Sequence, residues 1–262
     1  MATLHDSPRA TGAPGIEPRW TRSAKDVIGT AYSSTSRVWF TGSKGVLNEI
    51  YFPTADSPQV RDLQLLVSDG TSFFHEERRD LETTTEYLSD HGLAVRIINR
   101  DPALRYQIVK DILCDPHQPT VLMQVRLEGD PALLARLHLY VLLAPHLGVA
   151  GWGNNGNSTS IVGREFLTAN RDGNWLALAA TVPFVRKSCG YVGRSDGWQD
   201  LRDNYRMDWS FPEALDGNVA MTGRVDPGPG MEFTVGLAFG YHPHAATTAL
   251  TQSLAVPYAV KR

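Results

Sequence analysis

Apolar and polar residues alternate along most of this chain in short runs broken by Gly, Pro, Asn and Asp, the pattern of half-buried strands joined by tight turns. Between Trp20 and Thr41 the run AYSSTSRVWFTG mixes Ser, Thr, Val and aromatics, which favours a pleated hairpin. Three strands follow, over Val46–Phe52, Asp62–Ser68 and Ser72–Glu77. Pro53 and Pro58 each remove a backbone donor, so the TADSP segment between them reads as a loop or edge crossing. Ser68, Asp69 and Gly70 form a hairpin turn. The alternation from Asp62 to Val67 is imperfect, which predicts a strand covered on both faces for part of its length.

Beyond Asp80 come TTTEYL, LAVRIIN, RYQIVKDILC and TVLMQVRL, separated by His91–Gly92, Asp101–Pro102 and DPHQP at 115–119, which is turn chemistry. Leu137, Leu139, Val141 and Leu143 alternate, so Leu134–Leu143 is expected as a buried strand. GWGNNGN at 151–157 is expected as a loop, followed by strands around Ser160–Ala169 and Trp175–Phe184 joined at Arg171–Gly173. A last strand covers Phe233–Gly240, after a PGPG turn at 227–230. The fold class is all-β, a sandwich or barrel. Two segments are helical: 195–204, with Ser195 as N-cap, and His244–Val256, with Ala246, Leu250 and Leu254 at helical spacing. A helix begun at the end of a β-rich domain with nothing to pack on suggests a linker to a second domain, against the alternative of a helix packed on its own sheet. Residues 1–19, rich in Pro, Gly, Ala and charge, are expected as a flexible tail or a strap, leaving a sandwich over 20–243 and the start of a linker over 244–262.

Charge and composition narrow the partners. The 262 residues carry a net charge of -3, with pI near 6.2, which offers no basic field to a phosphate backbone, so nucleic acid is excluded as a partner. No apolar run approaches about 18 residues and the first residues lack an apolar signal core, so no membrane span or export is indicated and the chain reads as cytoplasmic. Cys114 and Cys189 match no metal or CxxC spacing and read as buried apolar residues.

Candidate chemistry is less decisive. Hydrolysis of a glycosidic bond needs two carboxyl groups across a sugar. Glu49, Asp56, Asp62, Glu76 and Glu77 are available, yet spacing selects no pair, and Glu76 and Glu77 point to opposite faces if both lie in a strand. A sugar-epimerising site would want two His and a carboxylate, and His75, His117, His146, His242 and His244 show no identifying pair. His242 and His244 share one face of a strand-like piece; ordinary polar residues near a strand end are favoured over metal ligands. No P-loop occurs and no cofactor is expected; GWGNNG at 151–156 fits GxGxxG and GRSDG at 193–197 fits GxSxG only as letter strings. Trp152, Trp198, Trp209, Tyr51 and Phe52 suit either the core or stacking on a pyranose; Trp209 and Phe52 lean to the core, Trp152 and Trp198 to neither.

GVLNEIYFPTADSPQVRDLQLLVSDGTSFFHEERRD at 45–80, LLAPHLG at 142–148, GYVGRSDGWQDL at 190–201 and MDWSFPEALDGNVAMTG at 207–223 carry a resemblance. Together they resemble the N-terminal domain of prokaryotic glucoamylases and glucodextranases of glycoside hydrolase family 15, over nearly the whole chain from about Pro14 to Tyr258. The resemblance implies a two-sheet super-sandwich of the galactose-mutarotase-like type, preceding an (α/α)6 barrel in the same polypeptide and joined to it by a helical linker. It also implies that both catalytic glutamates of an inverting mechanism, which releases β-glucose from the non-reducing ends of α-glucans, belong to that barrel. No residue of this chain then inherits a catalytic role.

On that reading Asn48, Glu49, Tyr51, Asp56, Arg61 and Asp62, with Trp198 and Asp200, are candidates for an interdomain or glucan-facing surface, and Trp152 for sugar stacking. The competing reading has their polar groups satisfying one another inside the sandwich, Arg61 with a carboxylate among them. Partners would be the barrel and the α-glucan of the parent enzyme, with self-association of the domain alone as a weaker expectation. A free-standing carbohydrate-binding or sugar-epimerising sandwich is the alternative function.

Overall fold

The computed structural model describes residues 8–20, 24–90 and 93–261. β1 (Val27–Thr30) and β2 (Trp39–Ser43) form the expected hairpin, with Val27 opposite Gly42; part of that segment, 21–23, lies outside the described residues. β3 (Val46–Tyr51) returns beside β2, and β4 (Pro58–Ser68) beside β3, so Pro58 opens a strand, where a missing donor is tolerated. β5 (Phe74–Glu76) folds back on the far half of β4 across a turn in which the Asp69 carboxylate accepts the N–H groups of Thr71, Ser72 and Phe73 at 2.9, 2.7 and 3.2 Å.

A single turn α1 (Glu77–Asp80) leads into a meander of β6 (Glu82–Tyr87), β7 (Val95–Arg100), β8 (Tyr106–Cys114) and β9 (Thr120–Gly129). The His91–Gly92 turn expected within it lies outside the described residues. Next come α2 (Pro131–Leu134) and β10 (His138–Pro145). The strand expected from Leu134 therefore starts later, because Asp130 caps a helical turn by accepting Leu133 N–H at 2.9 Å with Pro131 at its first position.

The second half holds β11 (Asn154–Ile161), β12 (Arg164–Arg171), β13 (Asn174–Ala180), β14 (Phe184–Tyr191), α3 (Gly197–Asn204), β15 (Glu213–Gly217), β16 (Val219–Val225), β17 (Glu232–Gly240), α4 (Pro243–Ala255) and α5 (Tyr258–Lys261). Asn154–Asn157, expected in a loop, belong to a strand. Their backbone pairs with β12 and β15, while the Asn154 and Asn155 amides accept from Leu147 N and Asp216 N.

All ladders are antiparallel. The first sheet runs β1-β2-β3-β4-β10-β16-β14, with β5 also on β4, and the second runs β15-β11-β12-β13-β17-β9-β8-β7-β6. Phe40, Ile50, Leu63 and Leu65 of the first meet Ile97, Ile108, Leu178 and Leu237 of the second in one core. Between the sheets lies a buried ionic link. Glu77 fills the gap where β3 leaves the edge of β4 and β5 has not yet joined, accepting Leu65 N–H at 2.8 Å, Asn99 Nδ2 at 2.7 Å and Lys110 Nζ at 2.7 Å. Glu76, one residue earlier, faces the other way, onto the outer surface of the first sheet.

The outer faces are covered in part. α3 and the loop after it lay Leu201 and Met207 on Leu66, Tyr140 and Leu142, so Leu66 is buried on one side of β4 while Leu65 and Val67 are buried on the other, the two-sided cover that the imperfect alternation predicts. α4 packs Ala246, Leu250 and Leu254 on Leu122, Ala177 and Ala238 of the second sheet. The helix expected to have nothing to pack on has a sheet beneath it; Gly236 leaves the room, since a Cβ there would stand 2.5 Å from Leu250 Cδ1.

Residues 8–20 form a strap. Ala10 N donates to Glu213 O, Ile16 N to Val192 O, and Asn218 N to Pro14 O, at 2.9–3.0 Å. Residues 1–7 of the expected tail lie outside the described residues.

Candidate functional site

The outer face of the first sheet holds a cleft of about 740 Å³. Strand alternation aims Asp62 and Gln64 of β4 into it, and an irregularity adds a third residue. Asp62 stands opposite Ala144 and Val60 opposite Pro145, so Arg61 is the extra residue of a bulge and reaches the cleft beside Asp62. Across β3, Leu47 faces Leu63 and Ile50 faces Val60, which sets Asn48 and Glu49 against Arg61 and Asp62. Ile16 of the strap and Val192–Gly193 form one wall, and Asp196, Trp198 and Gln199 another.

Asp196 fixes that second wall. It caps α3 by accepting Trp198 N at 2.9 Å and Gln199 N at 3.1 Å. This corrects the expectation of Ser195 as the cap, because the Ser195 hydroxyl is committed to the strap, donating to Thr11 O at 2.6 Å.

The cleft is lined by four cations, Lys44, Arg61, Arg78 and Arg79, and three acidic side chains, Asp62, Glu76 and Asp196, of which Arg61, Arg78 and Arg79 pair with Asp62 and Glu76. Glu76 accepts Trp198 Nε1 at 2.9 Å, Arg78 Nη2 at 3.3 Å and Gln64 Nε2 at 3.4 Å. Asp62 lies 3.2 Å from Arg61 Nε and 3.7 Å from Arg78 Nη1. Arg78 thus bridges the two carboxylates most suited to acid–base work. The Arg79 and Arg202 guanidiniums lie 5.2 and 5.4 Å from the Trp198 ring, so cations occupy this indole where a pyranose would need to stack. Gln64 Oε1 is buried without a hydrogen-bond partner among the described residues, an acceptor open to an incoming donor.

Of the candidates for an interdomain or glucan-facing surface, Arg61, Asp62 and Trp198 line this cleft and the others do not; Glu76, one of the candidate carboxylates, lines it as well. Glu49 takes Lys25 and the Tyr51 hydroxyl in short contacts beside it. Burial and Glu49 raise the Tyr51 phenol above its ordinary value. Asn48 is 2% exposed and ties the segment before β1 to the sheet, bonding Ala24 O at 3.0 Å and receiving Thr41 Oγ1 at 2.9 Å. It is therefore an internal fastener, where a surface residue was expected. Asp200 is a plainer correction: fully buried, it accepts Trp209 N at 2.6 Å and Asn204 Nδ2 at 2.8 Å, and burial raises its carboxyl above the usual range. Asp56 sits in the exposed loop before β4, held by Thr54 at 2.5 Å. Trp152 is 42% exposed in the turn before β11, outside the cleft.

Sequence reasoning left Gln64, Arg78 and Arg79 unassigned; the β4 alternation was the signal for Gln64. Among the described residues the histidines do not converge on a carboxylate pair. His75 bonds the Tyr106 hydroxyl at 2.8 Å, and His146 is buried against Trp20, its pKa pushed down to about 3 by burial and Arg61. His242 and His244 open α4 and do not share a strand face. Among the described residues no cluster of three or more His, Cys, Asp or Glu could hold a metal ion.

Fold and cleft first define a class: a large two-sheet super-sandwich domain with a charge-paired groove on one outer face. The chain belongs to the family described as glucodextranase, domain N, which matches residues 10–262. A glucoamylase from Clostridium sp. (strain G0005) is 30% identical over 249 residues, covering 95% of this chain and 35% of that protein. The crystal structure of a bacterial glucoamylase complexed with acarbose matches with a TM-score of 0.92 at 30% identity, covering 97% of this chain and 38% of that one. The chain spans little more than a third of the length of these relatives. No helix among the described residues is long and apolar enough to cross a membrane.

Proposed function

We propose that this chain is the non-catalytic accessory domain of a larger glycoside hydrolase, and that its charged cleft docks an (α/α)6 catalytic domain of the same polypeptide. That whole enzyme releases glucose from the non-reducing ends of α-glucans with inversion. The observation carrying the reading is the state of Asp62 and Glu76, which share Arg78 and leave no free carboxyl pair facing the cleft. A groove in which three arginines pair with Asp62 and Glu76, with an unfilled amide acceptor at Gln64, suits the polar rim and donors of a protein surface better than a reacting sugar. The reading also places the protein in the cytoplasm, in keeping with Cys114 and Cys189 as free buried thiols.

The test is calorimetric titration of this chain with the catalytic domain produced separately. Arg78→Ala should weaken association at least about tenfold, the loss for truncating one member of a desolvated charge array. Association unaffected by Arg78→Ala, with the chain still folded, would overturn the assignment of this cleft.

A further inference from the structure

A second pocket, of about 660 Å³, opens at the far end of the sandwich where β17 passes into α4. Its chemistry is opposite to that of the docking cleft. Arg37 is the single charged side chain along its lining, with the imidazoles of His242 and His244 and the amides of Gln118 and Gln252 around an aromatic floor.

The floor is a ladder of three rings. Phe239 stacks on Phe52 at 5.3 Å with planes 8° apart, and Phe52 meets Tyr241 at 5.6 Å. Phe239 and Phe52 are buried, whereas Tyr241 is 58% exposed, so two core rings hold one surface ring in place. The polar groups are held too. Gln118 Nε2 donates to Gln252 Oε1 at 2.9 Å, and His242 caps α4 by accepting His244 N at 3.3 Å. That bond engages one amide atom of each glutamine; among the described residues no side-chain hydrogen bond is recorded for Gln118 Oε1 or Gln252 Nε2.

An aromatic platform fixed from below, ringed by neutral side chains that both donate and accept, matches a neutral polyhydroxylated ligand. The C–H face of a pyranose covers the ring while its hydroxyls meet amides and imidazoles. A phosphorylated or carboxylated ligand would find one arginine, and a cationic one no carboxylate. The volume falls within the roughly 300–1,000 Å³ span of small-molecule sites.

We infer that this pocket binds a neutral saccharide segment, with Tyr241 as stacking platform and Gln118, Gln252, His242, His244 and Arg37 as hydroxyl-binding groups. It shares no residue with the docking cleft, so either assignment can fail without the other.

The experiment titrates the chain with maltotriose and, separately, isomaltotriose, reading the ring resonances of His242 and His244 by NMR. Saturable shifts with a Kd on the order of 1 mM are expected for at least one sugar. Tyr241→Ala should weaken binding about tenfold, and Tyr241→Phe, which keeps the ring, less than about threefold. Because Tyr241 is mostly exposed, both variants should melt with the parent chain, and Tyr241→Phe preserves the test should the alanine variant unfold. Silence of both histidines with both sugars, or equal affinity in the Tyr241→Ala variant, overturns the inference.

Discussion

Replacing Lys110 by methionine keeps most of the side-chain volume and removes the ammonium that faces Glu77 between the two sheets. Lys110 is 1% exposed and Glu77 is fully buried, so the variant would strand a carboxylate in the core. Removing one partner of a buried pair costs about 3–5 kcal/mol. Leu65 N–H and Asn99 Nδ2 still donate to Glu77 at 2.8 and 2.7 Å, which places the expected loss at the lower end, about 3 kcal/mol. For a domain of this size that corresponds to a melting point lower by about 6–12 °C. Urea unfolding followed by tryptophan fluorescence, together with calorimetry, measures both quantities. The double variant Glu77→Gln with Lys110→Met removes the stranded charge and should recover more than about 1 kcal/mol of the loss. A Lys110→Met loss below about 1 kcal/mol, or a double variant no more stable than the single one, would refute the view that this ion pair fastens the sheets.

Two further predictions concern the elements that frame the two pockets. Asp115 accepts Ser253 Oγ at 2.7 Å and His117 N at 2.8 Å and pairs with Lys261, tying α4 and α5 to the β8–β9 turn. Although burial opposes it, these donors hold the Asp115 carboxyl below its ordinary 3.8. Its contribution is therefore complete above that value and lost as pH falls through the lower folded value, so Asp115→Asn should flatten the acid arm of a stability–pH curve measured by urea unfolding. At Gly190, an added Cβ would lie 2.0 Å from Ser195 O and 2.6 Å from Asp196 Cα, in the backbone that starts α3. Gly190→Ala should cost about 1–3 kcal/mol and displace Trp198, visible as a change in tryptophan emission at temperatures where the chain stays folded.

Most strands were legible because one face of each is buried and period-two patterning records it, as in Val95–Arg100, where buried and half-buried residues alternate strictly. Asn154–Asn157 were not legible, because the Asn154 and Asn155 amides accept from Leu147 N and Asp216 N outside their own ladder and the composition therefore imitates a turn. The same limit hid the role of Asp200. Its charge suggested a surface, and only the chain's return at Trp209 supplies the N–H that lets it be buried. Arg61 and Asp62 stood out in sequence, yet their meeting with Trp198 depends on the bulge in β4 and the cap at Asp196, both settled by pairing between remote segments. Arg78 became informative only once β5 folded back on β4 and set its guanidinium between Asp62 and Glu76.

That bridging arginine underlies the proposal that this chain is non-catalytic and that any hydrolytic chemistry lies outside it. The most direct test is glucose release from maltooligosaccharides and dextran by the purified 262-residue chain, compared with its Glu76→Gln variant. No glucose above the buffer blank is predicted for either; turnover by the chain that disappears in Glu76→Gln would contradict the account.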